Sequence, residues 1–145
     1  MCIFCDKTIP ILHIYIPNKD NSEEYFCRIR YDHDCEDRNE IDIELGINNN
    51  KENNVNGEWS YSVNTNYCPF CGKKQKNQIN NAIERLDKIE NNLYLMTKCA
   101  FKELSAVLLY DYEYKQLVLK IFKNTNLIAH NVIPIKYDIN SGKEL

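Results

Sequence analysis

Glycine is scarce in this 145-residue chain: Gly46, Gly57, Gly72 and Gly142 are the only four. A phosphate-cradling loop needs several glycines close together, so nucleotide sites of the P-loop and dinucleotide types are excluded. No stretch approaches the ~18 consecutive apolar residues of a membrane-crossing helix, and none is expected. The opening MCIFCDKTIP has no basic region followed by a long apolar run. It is not read as a secretory signal, so the expected compartment is the reducing cytosol. A basic excess is also missing, since the formal net charge is −3. Residues 1–75 carry 8 Lys and Arg against 13 Asp and Glu, a net of −5, and residues 76–145 carry 10 against 8, a net of +2. A nucleic-acid binder built on a basic surface is therefore not the first expectation. Motifs for an activated serine or a metalloprotease helix are lacking too, and the chain is expected not to be an enzyme.

Cysteine is not scarce. Seven are present, an odd number that fits poorly with a fully paired disulfide framework and, in a reducing compartment, points to metal. Four fall in two matching segments, Cys2-Ile3-Phe4-Cys5-Asp6-Lys7 and Cys68-Pro69-Phe70-Cys71-Gly72-Lys73. Two residues between cysteines let both thiolates of one tight turn aim at one ion, while backbone N–H groups of the turn point at the sulfurs. The residue after the second cysteine often needs a positive φ, which Gly72 adopts freely and Asp6 tolerates. Cys2, Cys5, Cys68 and Cys71 together make a closed tetrahedral Cys₄ site, and structural zinc is the expected cofactor. A redox CxxC remains an alternative. It would sit before a helix in a βαβ context, and no strand precedes Cys2.

The segments MCIFC and NYCPFCGKK resemble the small Cys₄ zinc-ribbon proteins common in bacteriophage and mobile-element genomes, with a CxxC near the first residue, a β-rich stretch and a closing YCPFCGKK-type knuckle. The resemblance covers residues 1–75 and implies only the four metal ligands. Residues 76–145 resemble no family. The phage-like character suggests an accessory or counter-defence inhibitor of the anti-CRISPR kind, acting on a host protein that handles nucleic acid.

Periodicity organises the rest. Residues 11–16, 25–31, 41–47 and 58–63 read as short strands, several with strict alternation, and residues 48–57 as a loop. Ile79, Ala82, Leu86, Ile89, Leu93, Met96 and Ala100 recur at steps of three and four, the signature of an amphipathic helix. Asn91 and Asn92 are poor helix formers that break it into two pieces. Ile79, Leu86 and Leu93 form a seam that is buried either within the chain or in a homodimer. Residues 107–112, 117–122 and 127–135 read as a β-meander, with a helix over 101–112 as the alternative. The expected class is α+β: a zinc-ribbon sheet over 1–75, then a helix and a meander over 76–145, as two parts or one unit.

Residues 31–44 hold the densest acid in the chain. Asp32, Asp34, Glu36, Asp37 and Glu40 are the candidate partner-binding carboxylates, either a solvated face or a patch steering toward a basic groove. Tyr110, Tyr112 and Tyr114 alternate and would share one strand face, as cross-strand packing or a protein interface. Cys27, His33 and Cys35 are candidates for a second metal site, although Cys27 falls on an apolar strand face. Cys99 is expected in the core. His13 and His130 lie within strand patterns as hydrogen-bonded strand histidines. Two further readings stay open: a nucleic-acid-binding zinc-ribbon regulator, and a metal-dependent enzyme using Asp32, His33 and Asp34.

Overall fold

A computed structural model describes residues 2, 4, 9–16, 23–34, 38–49, 54–62, 65–74, 86–139 and 141–145. Nine strands form two antiparallel sheets, and no helix occurs among the described residues. The first sheet has the order β1 (Leu12–Ile16), β2 (Glu23–Asp34), β3 (Arg38–Asn49), β4 (Asn54–Tyr61). The second has the order β5 (Asp87–Glu90), β6 (Leu93–Phe101), β7 (Leu104–Asp111), β8 (Gln116–Lys123), β9 (Asn126–Pro134). Every neighbour pair is consecutive in the chain, so each sheet is a simple meander.

The two sheets stack face to face, with β6 against β3 and β4 and β7 against β3. Alternation decides what lies between them. Tyr25, Cys27, Ile29 and Tyr31 of β2 and Ile41, Ile43, Leu45 and Ile47 of β3 point inward. They meet Leu104, Ala106, Leu108 and Tyr110 of β7 and Leu117, Leu119 and Ile121 of β8 in one continuous core. Hydrogen bonds cross the gap, among them Ser60 Oγ with Thr97 Oγ1 at 2.6 Å, the Cys99 thiol to the Glu58 carbonyl at 3.1 Å, and the Tyr25 hydroxyl to Glu103 at 3.2 Å.

The expected α+β class is therefore overturned. Of the seven apolar residues assigned to the amphipathic helix, Ile79 and Ala82 lie outside the described residues. Leu86 precedes β5, Ile89 is in β5, and Leu93, Met96 and Ala100 are in β6. The 3–4 spacing arose from two irregularities. Asn91 and Asn92 are a two-residue hairpin turn, with Asn91 at φ 41°, a conformation that asparagine tolerates. A bulge between Leu95 and Thr97 then shifts the alternation within β6. The helix reading of 101–112 fails as well, because Lys102 at φ 55° turns the chain from β6 into β7. β4 begins inside the stretch read as a loop.

Both meanders end in the same device. Tyr67 pairs with Lys74 and Tyr137 with Glu144 as isolated bridges closing two short hairpins. In the first, Cys68 N–H donates to Lys73 O and Gly72 N–H to Cys68 O, both at 2.9 Å. In the second, Asp138 N–H donates to Lys143 O and Gly142 N–H to Asp138 O, again both at 2.9 Å. Gly72 and Gly142 have φ of 75° and 71°. The hairpins also grip each other reciprocally. Asn66 and Tyr67 N–H groups donate to Ile139 O, and Lys136 and Tyr137 N–H groups donate to Pro69 O. Each glycine lies against the other hairpin's tyrosine ring. A β-carbon on Gly72 would fall 2.7 Å from Tyr137 Cδ1, and one on Gly142 would fall 2.5 Å from Tyr67 Cδ1.

Gly142→Ala adds that clash to a left-handed backbone that alanine disfavours, and is expected to lower unfolding free energy by about 1–3 kcal/mol. Denaturant unfolding measures it, and a variant with the wild-type midpoint would show that the contact carries no stability. Burial pushes the Cys27 thiol from 9.0 up to about 12, with nearby Cys99 and Glu44 adding to it. The fold thus favours the neutral thiol. That contribution is complete below pH 9.0 and fades as pH rises toward about 12. Cys27 should resist alkylation at pH 8 in the native chain and react once it unfolds, as peptide mass mapping would report.

Candidate metal centre and the acidic ribbon

The hairpin Tyr67–Lys74 is shaped around a sulfur. The N–H groups of Phe70 and Cys71 point at the Cys68 sulfur, an arrangement that favours its thiolate. Burial acts more strongly in the opposite direction and pushes the unliganded thiol up to about 12. A cation beside the sulfur would reverse that balance, because a coordinating thiol is deprotonated outright. Cys68 is fully buried, whereas Cys2 and Cys71 are half-buried. The ring of Phe4 lies 4.6 Å from that of Phe70 and brings the N-terminal segment onto the hairpin.

The sulfurs of Cys2, Cys68 and Cys71 all lie within 4.8 Å of one another, a cluster that could hold a metal ion. Tetrahedral thiolates at ~2.3 Å from zinc are separated by roughly 3.8 Å, so this spacing suits such an ion. Cys5, the fourth expected ligand, lies outside the described residues. The described cysteines form no disulfide with one another.

Two of the second-site candidates, Cys27 and His33, are not brought together. Cys27 is buried between the sheets, and His33 is six residues further along the same extended strand, roughly 20 Å away. Cys35 lies outside the described residues. Cys99 is buried in the core as expected, while His13 and His130 are exposed. His13 stacks on Tyr15 at 4.6 Å.

The acidic run occupies a defined place. The last partner of β2 on β1 is Ile29, opposite Leu12, and the last partner of β3 on β4 is Asp42, opposite Tyr61. Beyond these, β2 and β3 continue as a two-stranded ribbon to Asp34 opposite Arg38. Asp32, Asp34 and Glu40 belong to that ribbon, and Glu36 and Asp37 fall in the connection, outside the described residues. The ribbon is anchored at its base, where the Tyr31 hydroxyl meets Thr65 Oγ1 at 2.8 Å and Ile41 N–H donates to Ser62 Oγ at 2.9 Å. The acids further from the tip are paired: Glu44 with Arg28, and Asp42 with Arg30 at 3.7 Å.

The tyrosines do not form a common stripe. Tyr110 is fully buried on the inner face of β7, and burial, with Asp138 nearby, raises its hydroxyl pKa. Tyr112 and Tyr114 follow the strand in the turn to β8, exposed by 47% and 69%. Asp111 organises this turn by accepting the N–H groups of Glu113 and Tyr114 on one oxygen and the Gln116 amide on the other. The residues of the expected seam are placed on strands or beside them rather than on a helix. Ile79 lies outside the described residues, Leu86 is buried, and Leu93 sits half-buried on the second sheet.

Sequence reasoning missed the second hairpin. Its signal was present: Tyr67-x₄-Gly72-Lys73 returns as Tyr137-x₄-Gly142-Lys143, with Asp138 and Ser141 in place of the cysteines. No described helix is long and apolar enough to cross a membrane. The chain matches no family model, no curated protein and no solved structure.

Proposed function

We propose that the chain is a zinc-stapled β-sandwich that works by binding another protein rather than by catalysis. The converging sulfurs of Cys2, Cys68 and Cys71 support the zinc, with Cys5 as fourth ligand. Four thiolates complete the tetrahedral shell and leave no position for water or substrate, which makes the ion structural. The metal fastens the N-terminal segment to the hairpin that ends the first meander. Metal affinity there is also folding free energy.

The acidic β2–β3 ribbon carries the functional reading. Asp42 and Glu44 are paired at its base, and Asp32, Asp34, Glu36, Asp37 and Glu40 are the carboxylates proposed to meet the partner. A narrow anionic ribbon suits the basic groove of a nucleic-acid-handling protein, where it would compete with phosphates and steer association. The proposed role is a counter-defence inhibitor of such a host protein.

Elemental analysis of the purified chain should find about one zinc per chain. Cys68→Ser should lose the metal and lower the thermal midpoint, whereas a metal-free chain of unchanged stability would rule out the staple. The partner reading is tested by capture from host lysate with wild-type chain beside the triple variant Asp34→Asn, Asp37→Asn, Glu40→Gln. Capture of a nucleic-acid-binding protein should weaken by at least about tenfold in the variant and with rising salt. Equal capture by both chains would remove the ribbon from the interface.

A further inference from the structure

The outer face of the second sheet is apolar where a solvent-facing sheet would normally be polar. Leu95, Leu109, Val118 and Val132 stand opposite one another across β6, β7, β8 and β9 as one continuous row. The next row is Lys98, Val107, Lys120 and His130. Beside it Phe122 lies opposite Leu127. Leu109 and Val118 in the middle of the first row are buried, while flanking apolar side chains remain open to solvent, with Ile89 exposed by 55%, Leu127 by 51% and Val132 by 49%. A shallow groove of ≈ 360 Å³ runs between the apolar residues, and among the described residues its charged lining side chains are Lys98 and Lys120. Contiguous apolar surface rimmed by charge marks an interaction site.

We propose that this groove docks an acidic amphipathic helix of another protein. Strands are spaced by ~4.8 Å, so Lys98 and Lys120, two strands apart in one row, are roughly 10 Å apart. Carboxylates at positions i and i+7 of a helix are separated by ~10.5 Å along its axis, and apolar residues at i+3 and i+4 fall between them on the same face. Such a helix laid along the row pairs both lysines and rests its apolar residues on Val107 and its neighbours. The open sheet face suits a helix better than a small molecule, which needs enclosure. A second copy of this chain meeting the same face symmetrically would oppose lysine to lysine. Among the described residues, the acids the register places near this face are Asp87, opposite Leu95, and Glu90, opposite Leu93, both on the edge strand, and Asp111, whose carboxylate already holds its turn. This surface is separate from the acidic ribbon and does not depend on it.

The test uses the full chain and a fluorescent amphipathic peptide of about 16 residues, ~24 Å as a helix, carrying Glu at i and i+7. Its twin carries Lys at those positions. Anisotropy should show the acidic peptide binding at least about tenfold tighter than the basic one. The double variant Lys98→Glu, Lys120→Glu should reverse that preference, and Val107→Asp should weaken both peptides. Unchanged zinc content and thermal midpoint establish that the variants fold. Equal binding of the two peptides, or a preference untouched by charge reversal, overturns the proposal; the lysines then only cover the sheet with their stems. A concentration-dependent dimer abolished by Val107→Asp would also overturn it, assigning the face to a second copy. The triple ribbon variant should bind the acidic peptide as the wild type does, so failure here and failure of the ribbon reading are told apart.

Discussion

The architecture turns on one contact, the reciprocal grip between the hairpins that close the two meanders. Each places a left-handed glycine beneath the other's tyrosine ring, and each offers a carbonyl, from Pro69 or Ile139, to two consecutive N–H groups of its mate. The relation is isologous within a single chain, of the kind found across a two-fold axis between subunits. It pins the trailing ends of both sheets to one point. With that point fixed, the inner faces of β2 and β3 meet those of β7 and β8. A meander followed by Tyr-x₄-Gly-Lys occurs twice, with four strands in the first and five in the second, which describes the chain better than a ribbon with an appended helix.

The hairpins differ in how they satisfy their own backbone. In the first, the Cys68 sulfur faces the Phe70 and Cys71 N–H groups. In the second, the Asp138 carboxylate accepts the Ser141 N–H at 3.0 Å, and Ser141 Oγ accepts the Lys143 N–H at 3.3 Å. A carboxylate can therefore hold this turn without a metal. Thiols at the first hairpin are then not a requirement of the turn itself. They sit where a second segment must be captured, and Cys2 reaches them across a loop of about 66 residues. Closing so long a loop removes much chain entropy from the unfolded state, which is where a metal crosslink contributes most in the simple chain model.

Much of the first sheet was legible in sequence, because strict alternation in 25–31 and 41–47 leaves one phase of burial. The convergence of Cys2, Cys68 and Cys71 was legible for a different reason: CxxC encodes a turn geometry as well as a ligand pair. The second half misled because alternation is a phase signal and two local events reset the phase. The Asn91–Asn92 turn and the bulge after Leu95 displaced Leu93 and Met96 onto a spacing that helices also produce. Asn91 and Asn92 were read as helix breakers when they were hairpin formers. The tyrosine stripe failed for a related reason, since the strand ends at Asp111. Only Tyr110 belongs to it, and its inward phase buries it.

The two outer faces of the sandwich solve the problem of solvent contact differently. On the first sheet the outward residues of β2 and β3 pair across the strands, with Arg28 held by Glu44 and Arg30 by Asp42, and the Arg28 guanidinium lies over the Phe26 ring at 5.7 Å. Charge there is balanced within the face. On the second sheet the outward residues include Leu95, Val107, Leu109, Val118 and Val132, with Lys98 and Lys120 among them, and no carboxylate of the described residues lines the groove they form. Sheet propensity alone gives no reason for this asymmetry, since either set of residues satisfies a strand. A face that is apolar and singly charged is stable in water only at a cost, which contact with an apolar, oppositely charged surface removes.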